Sequence, residues 1–193
     1  MRIWTIGHST RTIDDFISLL KENQINLLAD VRAWPGSKRY PHFNKDALAE
    51  SLNVHGIHYE HFPELGGKRK SKPDSRNTAW RNASFRGYAD YMETEQFQKG
   101  VERLLAFARS DPESIRGRNE RDGWEAVTPC AIAIMCAEAV WWRCHRSLVA
   151  DYLKARGVEV LHILGANKVD PHPYTPAARI VNGELTYEAE SLF

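Results

Sequence analysis

The chain has 193 residues, 42% of them hydrophobic and 26% charged, with a formal charge of +1. That length supports one well-buried core rather than two, and the near-neutral balance excludes a global affinity for polyanions while leaving room for a local basic patch. No run approaches the ~18 apolar residues of a membrane span, Met1 to Ile6 lacks the longer apolar core of a signal peptide, and three cysteines fit reduced thiols, so a soluble, cytoplasmic protein with no membrane partner is expected.

Ile3 to Ile6 reads as a short strand ending in Gly7-His8-Ser9-Thr10, after which Thr12-x-x-Asp15 opens an amphipathic helix through Phe16, Ile17, Leu19 and Leu20. Leu27 to Val31 is the next strand, stopped by Trp34-Pro35-Gly36. Asn44 caps a helix that runs through Ala47, Leu48 and Leu52 to His55-Gly56. A third strand spans Ile57 to Phe62 and ends at Pro63. Residues 66–86 form a basic loop, helical sequence runs from about Tyr88 to Arg109, and the charged stretch 111–128 reads as a surface insertion. Ala131 to Met135 is apolar throughout, the mark of a strand buried on both faces. A helix from about Cys144 to Arg156 leads to a fifth strand, Val158 to Leu164. In the tail, residues 178–188 carry Asn182-Gly183 between β-prone runs, a hairpin signal.

Strands alternating with helices predict a single α/β domain over residues 1–193. It has three layers: a mostly parallel five-stranded sheet, helices on both faces, and a C-terminal β-hairpin. Right-handed crossovers bring every strand-to-helix turn to one edge, where such folds bind ligands. The densest cluster there is Cys136-Ala137-Glu138 followed by Cys144-His145-Arg146. In the last helix the apolar stripe through Leu148, Val149, Tyr152 and Leu153 projects back onto His145, so its ring is expected to face the sheet edge. A thiol beside a helix start, an imidazole and a guanidinium favours thiolate; Cys136, Cys144 or His145 then serves as nucleophile or acid–base group, with Glu138 orienting His145 or acting as general base and Arg146 holding phosphate. Read blandly, Cys130 and Cys136 are small core residues. Cys136, Cys144, His145 and His8 also make a candidate zinc set, although their spacing is not a standard ligand knuckle.

Three further turns supply candidate substrate contacts. His8, Ser9 and Thr10 combine hydroxyls and backbone N–H groups at a helix start, an anion-ready geometry, or else Ser9 or Thr10 merely caps. Asp30 and Arg32 lie on one side of their strand end and pair or contact substrate, with Ser37 in the same turn. Beyond Glu64-Leu65-Gly66-Gly67, the basic loop brings Lys68, Arg69, Lys70, Lys72, Arg76, Arg81 and Arg86 against a single acid, Asp74, with Trp80, Phe85 and Tyr88 interleaved or adjacent. Cations with aromatic planes suit a phosphate-containing ligand, a nucleotide or nucleic acid; a solvated basic surface is the alternative.

Taken in order, Thr5-Ile6-Gly7-His8-Ser9, Asp30-Val31-Arg32 with Pro35 and Ser37, Glu64-Leu65-Gly66-Gly67, Phe85 with Gly87-Tyr88, and Cys136-Ala137-Glu138 with Cys144-His145-Arg146 resemble the bacterial and archaeal family called domain of unknown function 488. The likeness spans nearly the whole chain and implies a compact α/β fold with one shared polar site, but no established activity. Stretch 111–128 and Trp141-Trp142 depart from the pattern. A partial likeness to rhodanese-type domains stops at the Cys136 loop, which has Trp141-Trp142 where a glycine-containing cradle is needed. The leading expectation is an enzyme acting on a nucleotide or nucleic-acid component. The rivals are a non-catalytic nucleic-acid-binding or repair-associated module and a zinc-binding domain. No organic cofactor is indicated, and the oligomeric state is left open. Pro173 and Pro176, around His172 and Tyr174, give a tail that could close over the site.

Overall fold

A computed structural model of the protein describes residues 1–110 and 130–189; the expected insertion at 111–128 lies outside them. Six strands, β1 (Arg2–Gly7), β2 (Leu27–Asp30), β3 (His58–His61), β4 (Ile132–Cys136), β5 (Glu159–Gly165) and β6 (Lys168–Pro171), form one sheet in the order β3-β2-β4-β1-β5-β6. The first five run parallel. β4, buried at every position, lies in the middle, as its unbroken apolar run requires.

Strand alternation sends side chains to two helical layers. Ile6, Leu28, Ala133, Met135 and Ile163 pack against Phe16 and Leu20 of α1 (Ile13–Glu22) and Leu48 and Leu52 of α2 (Lys45–Val54). Ile3, Leu27, Ala29, Ile134 and Val160 pack against α3 (Ala83–Met92), α4 (Glu95–Arg109) and α5 (Arg146–Ala155), chiefly through Val101, Leu104, Leu148 and Leu153. Each fully buried side chain of this kind contributes about 1.5–3 kcal/mol. The helical stretch expected from Tyr88 to Arg109 is two helices, because Thr94 accepts from the Phe97 N–H and restarts the chain as a new N-cap.

The sheet carries one strand more than the five expected. β6 runs antiparallel to β5, reached through a turn in which Asn167 takes a left-handed conformation (φ 54°). Asn tolerates that region but is a weaker turn signal there than Asn-Gly. Asn182 and Gly183, both at positive φ, close the expected hairpin of β7 (Arg179–Val181) and β8 (Glu184–Thr186).

Behind the sheet, Asp151 of α5 is fully buried and anchors the tail. Its carboxylate accepts from His172 Nε2 (3.0 Å), the Thr175 N–H (2.9 Å) and hydroxyl (2.6 Å), and the Tyr187 hydroxyl (2.9 Å). An ionised carboxylate only accepts, so every proton in the chain is fixed. His172 Nδ1 accepts from His162 Nε2 (2.8 Å), and His162 Nδ1 accepts from the Thr5 hydroxyl (2.7 Å). The tail at 172–175 is thus pinned to α5 rather than free to close over the edge as a lid. Burial, then the neighbouring His172 and Arg146, lower the His162 pKa to about 3.

That shift fixes a pH dependence. Below about pH 6.5 the unfolded chain protonates His162 while the folded chain does not, so stability falls as pH drops from there toward 3. By pH 5 the loss from this one ring amounts to about 2 kcal/mol. Urea unfolding at pH 7.5 and pH 5 measures it, and His162→Gln is expected to shrink the difference by about that amount.

Candidate active site at the carboxyl edge of the sheet

Cys136 ends β4, and Cys144 and His145 immediately precede α5, so the parallel crossover itself brings them together. His145 Nδ1 lies 3.7 Å from Cys144 Sγ and 4.0 Å from Cys136 Sγ. The other ring nitrogen, Nε2, donates to the Val31 carbonyl at 3.2 Å, just beyond the end of β2. That bond turns Nδ1 toward both sulfurs. Gly67 and Tyr88 wall the ring: a Cβ on Gly67 would sit 2.8 Å from Nδ1, and the Tyr88 ring stands 4.9 Å away.

The two sulfurs share a proton unequally. A hydrogen bond from Cys144 holds Cys136 well below the ordinary thiol range against the opposing effect of burial, and His145 and Arg146 add to the lowering. Burial, then the Cys136 sulfur, pushes the Cys144 thiol well up. The arrangement therefore presents one thiolate, one thiol and an imidazole, a set able to ligate a soft cation or to attack and transfer protons.

Several candidate residues have other tasks. Arg146, expected to hold phosphate, is almost fully buried. Its guanidinium donates to the Glu138 (2.7 Å) and Ala139 (3.0 Å) carbonyls and so clamps the loop between the cysteines. Glu138 is exposed on that loop and makes no hydrogen bond to His145 among the described residues; Val31 orients the ring instead. The first turn is less open than expected: the His8 and Ser9 N–H groups donate to the Cys136 and Ala137 carbonyls, and the cap of α1 is Thr12, leaving Ser9 and Thr10 outside it. His8 Nδ1 donates to the Ser9 carbonyl, which turns Nε2 toward Arg32 as an acceptor (3.4 Å). Burial, then the Arg32 charge, lower its pKa to about 4.

Asp30 and Arg32 do pair, with guanidinium-to-carboxylate contacts of 2.6 and 2.9 Å, and the Tyr59 hydroxyl donates to Asp30 at 2.7 Å. This buried group lies on the α1–α2 side of the sheet, while the cysteines lie on the other. Ser37 shapes the loop before α2, accepting from the Tyr40 N–H. Glu64 pairs with Arg103 and gives its carbonyl to the Tyr91 hydroxyl. The basic loop is less free than its composition implies: Lys72 N–H, Ser75 and Asn77 all donate to Asp90, Arg69 and Arg86 donate to the Gly66 and Trp80 carbonyls, and Lys72 pairs with Glu93. Lys68 stays exposed, its ammonium 5.0 Å over the Trp34 ring.

Residues missed in the sequence include Val31, which acts through its carbonyl, and Trp141, which stacks flat on His162 at 4.4 Å. Asp151 had a usable signal, an acid one helical turn after Leu148 on the apolar stripe of α5.

The fold and this edge define an α/β domain whose central crossover assembles two cysteines and a histidine at the strand ends. The chain belongs to the family described as Domain of unknown function DUF488, whose model matches residues 12–125 and 113–153. No curated protein and no solved structure matches it significantly. No helix among the described residues is long and apolar enough to cross a membrane.

The approach of the β1 exit to the cysteine loop requires glycine. A Cβ on Gly7 would lie 1.9 Å from the Glu138 carbonyl oxygen, whereas one on Gly165 would meet nothing within 4 Å. Gly7→Ala is expected to lower the unfolding free energy by about 3 kcal/mol, the upper end of overpacking costs, with Gly165→Ala near neutral; urea titration of both variants checks it.

Proposed function

We propose that this chain is an enzyme acting on a nucleotide or nucleic-acid component, with Cys136, Cys144 and His145 as its reactive centre. The observation that carries this reading is the approach of two sulfurs to one imidazole nitrogen whose ring is held from behind by Val31. A thiolate and a ring nitrogen are costlier to bury than apolar side chains of the same volume, and such convergence is characteristic of sites that do chemistry. Glu138, exposed on the loop between the cysteines, is the acid–base group placed to reach a ligand from solvent.

Phosphate recognition is supported by Lys68 and Trp34. The Trp34 ring is 70% exposed, and its loop abuts the turn that carries Lys68: a Cβ on Gly66 would lie 2.9 Å from the Ala33 Cα. A cation beside an exposed aromatic ring suits a phosphate attached to a flat base. Lys70, Arg76 and Arg81 add exposed positive charge along the same loop.

A nucleoside triphosphate or a short single-stranded oligonucleotide is expected to quench tryptophan fluorescence, with affinity that falls as salt rises. Lys68→Ala should weaken binding roughly tenfold, the scale of one charge-assisted contact. Product formation, followed by chromatography, should disappear in Cys136→Ala and His145→Ala while ligand still binds. Salt-independent affinity would remove the phosphate reading. Binding without product in the unaltered protein would make it a non-catalytic module.

A further inference from the structure

We infer that Cys136, Cys144 and His145 form a three-ligand site for a thiolate-seeking divalent metal of the zinc class, with a fourth position open to water or a ligand oxygen. The inference rests on the reading of this trio as the reactive centre and states what chemistry occupies it.

Distances supply the first argument. Zinc bonds of ~2.3 Å to sulfur and ~2.05 Å to nitrogen, arranged tetrahedrally, separate N from S by about 3.6 Å and S from S by about 3.8 Å. His145 Nδ1 lies 3.7 Å and 4.0 Å from the two sulfurs, and all three ligand atoms fall within 4.8 Å of one another. The nitrogen–sulfur edges need to close by a few tenths of an ångström, and the sulfur–sulfur edge, which lies within 4.8 Å, by up to about 1 Å. Second, the ring orientation is that of a metal ligand. Such histidines donate their other N–H to a carbonyl or carboxylate, which fixes the tautomer, and His145 Nε2 does so to Val31.

Charge balance adds a third argument. Two thiolates offset a dication, so the filled site is neutral overall and compatible with the burial of both cysteines. By contrast, the other buried histidine pair has no lone pair to offer, since His162 and His172 have each ring nitrogen engaged by Thr5, by one another or by Asp151. Three protein ligands with an open position is the pattern of catalytic rather than structural zinc, where the metal polarises a bound oxygen.

Cobalt titration of the full-length, reduced, chelator-treated protein tests this without any nucleotide present. One equivalent of Co2+ is expected to give intense tetrahedral d–d absorption with sulfur-to-cobalt charge transfer, displaced by Zn2+. Cys136→Ser, Cys144→Ser and His145→Gln should each weaken Co2+ binding on the order of a hundredfold, and Cys130→Ser should leave it unchanged. Should a ligand variant fail to fold by circular dichroism, the unaltered protein decides: Zn2+ must protect Cys136 and Cys144 from alkylation, as read by mass spectrometry. A weak octahedral spectrum, affinity unchanged in folded ligand variants, unprotected thiols, or a Cys136–Cys144 disulfide that forms in preference to metal binding would each overturn the inference. Metal binding with no nucleotide binding would leave this site standing and remove the phosphate reading. Nucleotide turnover without metal binding would do the reverse.

Discussion

The hydrogen bond from His145 Nε2 to the Val31 carbonyl is the constraint on which the edge of this molecule depends. Val31 has both backbone groups in use: its N–H donates to the Met135 carbonyl and extends β2 along β4 (3.0 Å), while its carbonyl turns outward to the imidazole. The next carbonyl, that of Arg32, accepts from His61 Nε2 (2.9 Å). A parallel sheet leaves such carbonyls unpaired where strands end, and a buried one must find a donor. Here two of them are satisfied by imidazoles, so the requirement to pair the backbone also fixes which nitrogen of His145 faces the sulfurs.

The loop between the cysteines is held at several points. Arg146 grips two of its carbonyls, the first turn of the chain bonds to the Cys136 and Ala137 carbonyls, and Trp141 lies flat on His162. His162 in turn belongs to the network that ends at Asp151. The buried chain of hydrogen bonds from Thr5 to Asp151 is rigid, because any displacement exposes an unpaired group in a medium of low dielectric. The spacing of the sulfurs and the imidazole is therefore imposed from three sides of the fold rather than by the local chain alone.

Much of the architecture was legible because it is periodic. The unbroken run ending β4, the Thr12 cap and the Asn182-Gly183 turn each state a local rule that the fold obeys. The meeting of Cys136, Cys144 and His145 was also legible, since a parallel crossover places a strand end beside the next helix start and the α5 stripe aims His145 inward. What escaped was the partner of each polar group. Arg146 and Arg86 read as cations for a ligand and proved to be donors to backbone carbonyls. The N–H groups of His8 and Ser9 read as open and proved to be paired across to β4. A sequence counts charges and donors, but the low cost of satisfying a nearby carbonyl decides where they go, and that depends on strand order.

The same logic explains why the cysteine spacing fits no familiar ligand knuckle. Knuckle spacings describe sites made by one tight turn, in which both sulfurs come from neighbouring backbone. Cys136 instead leaves the end of a central strand, and Cys144 arrives at the beginning of the helix that packs over it, so their spacing is set by the length of the clamped loop between strand and helix. Arg146 supplies the clamp, and Gly7 supplies the room beneath it. A spacing rule is blind to such a site because its geometry is a property of sheet topology. The residues to look for in the sequence are those that let the loop lie close: a glycine at the neighbouring strand exit and an arginine at the helix start.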